Sequence, residues 1–585
     1  MTSSERLLAD VKVGPRLASV VLVPRRPEHR SQVLRALKRM GVNAKADAGG
    51  VRIDAMDAPS LLGDVTPISL TWSADARRFA LNRAHVREHA TAVRSRTRVL
   101  LEMDQIPADL GIDTMTLDDH QRRNVAAMTV ADSSGFCVFD EQGAGKTVTL
   151  IFAFDLLVHR DEIDFALILA PKSMVPEWPK DFERFRPGLH KVVVASGGRP
   201  MKTAALRSRA DVIVTNFETA VTMEAELRAL LRTYDGRAVL AVDESFYIKN
   251  LDARRTRSVR RLREWCSRAF VLCGTPAPNS PHDLVEQFNL TDFGLTFAGI
   301  DIPKDRTEAV PVVRAAIETG GAYVRHLKRN VLPDLPTKSF KRCLVQLEPV
   351  QRQVYASVLK NLILDLEATD SETFRRQLPN FLARRTALLQ VCSSPALITA
   401  GYSETPAKLL ALDQLLDDLV AKGEKVVVWS FFTTSITAIV DRYARFHPVR
   451  YDGTVGDVEV RREAVRRFQE DDETMLFVGN PAAAGAGLTL HRARYAIYES
   501  FSNQAAHYLQ SLDRIHRRGQ ARPVEYFVLL CDETIELREY EKLIDKERAA
   551  QDLLGDGVTE PLTRELMLHE LIDANRRLRE SADAE

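Results

Sequence analysis

The stretch Phe139–Leu150, FDEQGAGKTVTL, contains Gly143, Ala144, Gly145, Lys146 and Thr147 in succession. Glycines so placed let backbone N–H groups approach phosphate oxygens. A lysine beside them reaches β- and γ-phosphates, and a threonine hydroxyl ligates Mg²⁺. An apolar run, GFCVF, precedes the string and a helical pattern, KTVTLIFAFDLL, follows it, so a helix N-terminus would add its dipole to the cradle. The common phosphate loop, G-x-x-x-x-G-K-[ST], has glycine where this chain has Asp140. A glycine-rich turn before a helix is the alternative reading of this string alone.

Further along, AVLAVDES ends an apolar strand in Asp243 and Glu244. A carboxylate at a strand end can hold Mg²⁺, and its neighbour can orient or deprotonate an attacking water. An isolated Asp-Glu pair is usually surface charge; downstream of a phosphate loop it becomes a candidate for nucleotide hydrolysis. QSLDRIHRRGQ then places Gln510, Arg514 and Arg517 at spacings of four and three, which predicts one shared helix face. Arginines offered to a γ-phosphate spread its transition-state charge over a rigid fork. A solvated basic helix is the alternative.

These groups need a scaffold that holds strand ends side by side. GFCVFD, FALILAP, HKVVVAS, DVIVTN, AVLAVDE and AFVLCGTP are short apolar runs separated by amphipathic segments, and KVVVWSFF, VRYDG, TMLFVGN, ARYAIYES and PVEYFVLL repeat the pattern. Such alternation predicts parallel sheets covered by helices on both faces, hence an α/β chain with two lobes. The expected divisions are an N-terminal accessory domain (1–112), a first lobe (113–295), a helical inter-lobe region (296–400), a second lobe (401–553) and a helical tail (554–585). ASVVLVP, a helical PEHRSQVLRALKRMG and VRIDA make the accessory domain a small α+β unit, followed by an arginine-bearing helix from about Ser73 to Glu102.

The composition bounds the class. The 585 residues are 45% hydrophobic and 28% charged, with Lys+Arg 81 against Asp+Glu 80, so several packed cores are affordable and neither a disordered nor a fibrous chain is expected. Near-neutrality excludes a uniformly basic coat but permits a basic groove. The six cysteines form no C-x-x-C pair and read as reduced core thiols. No run is long enough for a signal peptide or a membrane span; no membrane partner is expected, and the expected location is cytoplasmic, with the nucleoid.

In order, LDDHQRRNVAAM, DEQGAGKT, LILAPKSMVPEWPKDF, DVIVTNFE, DESFYIKN, LCGTPAPNSPHDL, GAGLTL and QSLDRIHRRGQ resemble the motifs of helicase superfamily two. Trp178 in VPEWPKDF, Lys249 and Asn250 after the acids, VRHLKRNVLPDLPTK, and RRGQARPV running into LLCDETIE narrow the resemblance to the Swi/Snf-type DNA translocases. It covers about Leu117 to Glu536. It implies two RecA-like lobes, ATP and Mg²⁺ as cofactors, and double-stranded DNA as the track. Gln121 would contact adenine. Gly143, Ala144, Gly145, Lys146 and Thr147 would form the cradle, in which D-E-x-G-x-G-K-T is a regular variant. Thr147 and Asp243 would serve Mg²⁺, and Glu244 the water. Gly274, Thr275 and Pro276 would couple the ATP state to the track. Gly487 would sit near ribose or γ-phosphate, and Gln510, Arg514 and Arg517 would close the cleft. Pro171, Lys172, Asn216, Ser430 and Thr489 would contact DNA phosphates, without sequence preference.

The chain departs from the pattern at Phe246, where D-E-x-H has a histidine, because phenylalanine neither donates nor accepts a hydrogen bond. The resulting expectation is an ATP-driven motor on duplex DNA, serving DNA repair, replication or genome defence. The alternatives are a strand-separating helicase of DNA or RNA, and an ATP- and DNA-binding switch that does not move processively. RRTRSVRRLR (Arg254–Arg263) could line a DNA groove or be a solvated face. The arginines of the N-terminal helix, Arg83 among them, could contact nucleic acid or a protein partner, or merely solubilise the helix. Trp178 reads as a core anchor.

Overall fold

The computed structural model describes residues 7–14, 17–63, 65–103, 110–114, 116–277, 280–456, 458–483, 488–501, 505–551 and 562–582. The chain divides into two compact units, Met1–Val331 and Leu332–Glu585.

The first unit opens with a five-stranded sheet, β1 (Leu7–Val13), β2 (Ser19–Pro24), β3 (Ala44–Asp47), β4 (Gly50–Asp54) and β5 (Ile68–Trp72), in the order β3-β4-β2-β1-β5. The helix Arg30–Arg39 buries Val33, Ala36 and Leu37, an i, i+3, i+4 stripe, against it. The helix Ala74–Glu102 starts at Ser73, whose side chain accepts from the Ala76 N–H at 3.2 Å. It is more than a solubilising helix. Arg83 is buried against Glu264, with Nη2–Oε1 at 2.8 Å and Nη1–Oε2 at 3.0 Å, and its guanidinium lies 3.3 Å from the centre of the Phe79 ring. That bidentate pair ties the small domain to the lobe behind it.

The lobe is a seven-stranded sheet with every pairing parallel: β6 (Gly135–Val138), β7 (Phe165–Ala170), β8 (Val192–Val194), β9 (Val212–Asn216), β10 (Gly236–Asp243), β11 (Cys266–Leu272) and β12 (Tyr323–Val324). The order is β12-β6-β11-β10-β7-β9-β8. β6 and β7 are buried at every residue, which is why they read as unbroken apolar runs. The helix Arg254–Arg263 is structural in part. Arg263 is buried and donates to the carbonyls of Leu290, Cys266 and Ser134 at 2.5, 2.5 and 2.6 Å, and Arg261 pairs with Glu224 at 3.0 Å.

The second unit holds β13 (Lys338–Val345), β14 (Val426–Trp429), β15 (Val449–Tyr451), β16 (Leu476–Gly479), β17 (Tyr495–Tyr498) and β18 (Val524–Cys531), all in parallel pairs, in the order β13-β18-β17-β14-β16-β15. The helices Pro349–Glu367 and Ser371–Ser393 share a core with Met567, Leu571, Ala574 and Leu578 of the helix Arg564–Ala582, so the expected helical tail packs on them over its described part. Cys392, Cys531 and Glu536 cluster there, but Lys408 Nζ takes the Glu536 carboxylate at 2.5 Å, which makes it a buried ion pair.

The region expected to be helical, 296–400, is shared between the two units. Residues up to Val331 pack with the first, where β12 lies on the edge of its sheet, and β13 pairs along its whole length with β18. β12 has only two residues, too few for a period to show. β13, KSFKRCLV, is an edge strand with charged residues along it, and its strand pattern is masked accordingly.

Candidate nucleotide site

Parallel pairing sets the site's frame. Val138 of β6 is in register with Leu272 of β11, and Leu272 with Asp243 of β10, so the segments after these three strands leave the sheet at one edge. The loop after β6 carries Gly143 at φ 85° and Gly145 at φ 92°, the left-handed region open to glycine. A Cβ on Gly145 would lie 2.0 Å from Gln121 Nε2, so a side chain there would also have to displace the Gln121 amide. The helix Lys146–His159 begins immediately afterwards.

The loop is held from outside. Asp140 is buried; its carboxylate accepts from Asn124 Nδ2 at 2.8 Å and from the His326 backbone N–H at 2.8 Å, with His326 Nδ1 at 2.9 Å. The Ala144 carbonyl accepts from Gln121 Nε2 at 3.1 Å and lies 3.0 Å from His120 Nε2. Gln121 Oε1 accepts from the Asp118 N–H at 3.0 Å, closing the capping box of the helix Asp119–Met128. Lys146 Nζ donates to the Asp140 carbonyl at 2.9 Å and to Gln142 Oε1 at 3.1 Å. Gln142 Nε2 in turn donates to Glu244 Oε1 at 2.5 Å. One amide therefore spans the lysine and the acid.

Asp243 and Glu244 are both buried. Asp243 Oδ1 accepts from the Glu244 N–H at 2.9 Å, while Oδ2 has no hydrogen-bond partner among the described residues. The buried Trp178 indole N–H also lacks a partner within bonding distance, yet lies close enough to favour the ionised Asp243 slightly. Burial, and after it the Glu244 charge, push the Asp243 carboxyl up to about 7, with Lys146 opposing them. An orphaned, buried carboxylate oxygen beside a second acid is the donor set a hard cation satisfies, so the residues fit Mg²⁺, with the half-buried Thr147 hydroxyl as a further oxygen donor. A metal must displace the proton, so apparent Mg²⁺ affinity should weaken about tenfold per unit as pH falls below Asp243's raised value, and level off above it. Binding of a non-hydrolysable ATP analogue with Mg²⁺, titrated from about pH 6 to about pH 8, reads this directly. A flat profile would remove Asp243 from the ligand set.

In the second unit, Gln510 lies on the helix Ala505–Leu512, but Arg514 and Arg517 fall in the turns beyond it rather than on one helical face. The chain leaves the helix because the Arg514 carbonyl accepts from the Leu490 N–H at 2.9 Å and Ile515 is buried. The two guanidinium groups still converge. Arg514 Nη1 and Arg517 Nη1 both donate to the Leu488 carbonyl, at 3.2 and 3.1 Å, and Arg517 Nη1 donates to Thr489 Oγ1 at 2.6 Å.

The SNF2-related domain model matches residues 120–397, and the helicase conserved C-terminal domain model matches 407–519. The chain carries an SNF2-related domain followed by a helicase C-terminal domain. The mouse (Mus musculus) SWI/SNF-related matrix-associated actin-dependent regulator of chromatin subfamily A member 1 is 27% identical over 464 residues, covering 73% of this chain and 43% of that protein. The Saccharomyces cerevisiae ISWI chromatin-remodeling complex ATPase ISW1 is 25% identical over 455 residues, covering 72% and 39%. The chain thus spans less than half the length of these curated relatives. A solved Sulfolobus solfataricus SWI2/SNF2 ATPase core in complex with dsDNA is 21% identical and covers 80% of this chain and 98% of that one, with a TM-score of 0.34.

Within this SNF2-related core, the residues singled out as DNA contacts follow strand ends. Pro171 and Lys172 follow β7, and Asn216 ends β9 and caps the helix Phe217–Thr222 through its Oδ1, which accepts from the Thr219 N–H at 2.8 Å. Lys172 is exposed. Ser430 follows β14 but is buried, and its hydroxyl donates to Glu499 Oε2 at 2.7 Å. Thr489 is the acceptor for Arg517, and Gly487 lies outside the described residues. Sequence reasoning missed Gln142, the tether of Asp140 to His326, and Arg325, whose Nη1 donates to the Phe139 carbonyl at 2.5 Å. The segment VRHLKRN was read only as a family signature. That it packs on the cradle depends on the pairing of β12 with β6, which no local pattern announces.

Proposed function

We propose that this chain is an ATP-driven motor that hydrolyses MgATP and moves along double-stranded DNA. The observation that carries it is the junction at the ends of β6 and β10, where Gln142 joins Lys146 to Glu244 beside the unpartnered Asp243 oxygen. In this reading Lys146 binds the terminal phosphates and the loop N–H groups orient them. Glu244 takes the proton of the attacking water, and Arg514 and Arg517 meet the developing charge. Thr147 and Asp243 would hold Mg²⁺, which would supply positive charge to neutralise the phosphates. Binding of phosphate to Lys146 competes with Gln142, so the amide must re-pair as the site fills. Gln121 is assigned to adenine.

Duplex DNA as the track is supported by the ordered motif set and by relatives named as ATPases of chromatin-remodeling complexes. Repair, replication or defence of DNA is the proposed setting, since travel along a duplex is a step these processes share. Residues before 120 lie outside both matched models, and we assign them the docking of a protein partner. The test is ATP hydrolysis with duplex DNA, single-stranded DNA, RNA and no nucleic acid, for wild type and Lys146→Ala. Stimulation by duplex, abolished in the variant, is expected. Hydrolysis indifferent to every nucleic acid would sink the motor reading, and stimulation by single strands or RNA alone would favour an unwinding helicase.

A further inference from the structure

Phe246 cannot hydrogen-bond, and its ring stacks instead on Tyr247 with centroids 4.6 Å apart. Its neighbour Ser245 makes the polar connection. Ser245 is fully buried, and its hydroxyl donates to Oε1 of the equally buried Gln287 at 2.5 Å. Gln287 Nε2 donates to the Pro276 carbonyl and to the Asp283 carbonyl, both at 2.7 Å. Both amide hydrogens face carbonyls and the amide oxygen faces a hydroxyl, so the reverse orientation would set three oxygens against one another. The relay therefore has a single polarity.

It also closes a circuit. Glu244 precedes Ser245, Gln287 leads to Pro276, and the Gly274–Pro276 turn comes back to Gln142, since a Cβ on Gly274 would lie 3.1 Å from Gln142 Cγ and from its backbone N. Gln142 then returns to Glu244. Lys249, from the segment that follows Phe246, pairs with Asp283 at 3.1 Å and fixes the same region from the far side. The left-handed φ of 50° at Glu244 places its side chain under backbone control, so a shift of Ser245 moves the acid.

We infer that Gln287, together with Ser245, is a positioning residue that transmits movement of the Gly274–Pro276 turn to Glu244. The inference rests on the motor reading above, because the signal it carries is the response of hydrolysis to DNA. Among the described residues, the hydrogen bonds of the two side chains run to each other and to the Pro276 and Asp283 carbonyls, not to the proposed nucleotide cradle. Their loss should therefore spare ATP binding and the unstimulated rate while blunting the response to duplex.

The test uses the full chain as wild type, Gln287→Leu, Ser245→Ala and the double variant, with ATPase kinetics measured with and without duplex DNA. Leucine leaves the Ser245 hydroxyl and the Pro276 carbonyl buried without their partner. The duplex-stimulated kcat should fall about tenfold in each variant, while the unstimulated rate and the KM for ATP stay within about twofold. The double variant should lose no more than either single one, as expected of two members of one relay. Thermal melting of each variant checks folding, and Ser245→Ala, the smaller change, carries the test if Gln287→Leu unfolds. Full duplex stimulation in the variants, losses that multiply, or equal loss of stimulated and unstimulated rates would each overturn the relay. A wild type indifferent to duplex would instead overturn the motor reading, and the coupling role with it.

Discussion

Arg517→Ala should hydrolyse ATP roughly 10³–10⁵ times more slowly than the wild type with duplex present, the span associated with loss of an arginine finger. The side chain is suited to that role by the way it is held. Nη1 is fixed by the Thr489 hydroxyl at 2.6 Å and the Leu488 carbonyl at 3.1 Å, so the planar fork is oriented before any phosphate meets it. A charge placed in advance costs no reorganisation in the transition state. The loss should fall on kcat with little change in KM, because the interaction strengthens only as charge develops. Arg517→Lys should recover little, since an ammonium cannot reproduce the fork. Arg514 is buried on the same carbonyl, and its removal would mix lost packing with lost charge. Arg517 is thus the cleaner probe, and a near-wild-type kcat for Arg517→Ala in a chain that melts normally would exclude the finger role.

Glu244→Gln should lower kcat by roughly 10²–10⁴ while the complex with MgATP still forms. Glutamine keeps the shape and can still accept at Oε1 from Gln142, the 2.5 Å contact of the native residue, but it cannot take a proton from water. The backbone at Glu244 sits in the left-handed region at φ 50°, where a non-glycine residue costs ~1–3 kcal/mol. Such strain is retained where an orientation matters, and here it aims a buried carboxylate. Single-turnover hydrolysis, paired with binding of a fluorescent ATP analogue, separates the two effects. Retained hydrolysis would show that another group accepts the proton, whereas lost binding would mean that Glu244 holds the site together.

Much of this was legible in the chain itself, for identifiable reasons. The central strands of both lobes, such as β6, β7, β14, β16 and β17, are buried at every residue, and so they appear as unbroken apolar runs, unlike the edge strand β13. Gly143 and Gly145 were recognisable because the loop needs positive φ at both, which the structure displays. Asp140 first looked like a misplaced residue in a common loop and proves to be a buried anchor, tied to Asn124 and His326. Arg83 was indistinguishable from its exposed neighbours, since its burial depends on Glu264, 181 residues away along the chain. The helix expected through Arg517 stops at Leu512 because Leu490 recruits the Arg514 carbonyl.

By itself the sequence determined the α/β architecture and brought out the Gly143–Thr147 loop, the paired acids and the arginines, because periodicity, glycine placement and residue chemistry are properties of short windows. Only the tertiary structure decided what joins them. Gln142 between Lys146 and Glu244, and Gln287 between Ser245 and Pro276, are glutamines with no motif of their own. A hydrogen bond between residues far apart in sequence exists only once parallel strand pairing has set their ends side by side, and no local pattern encodes that register.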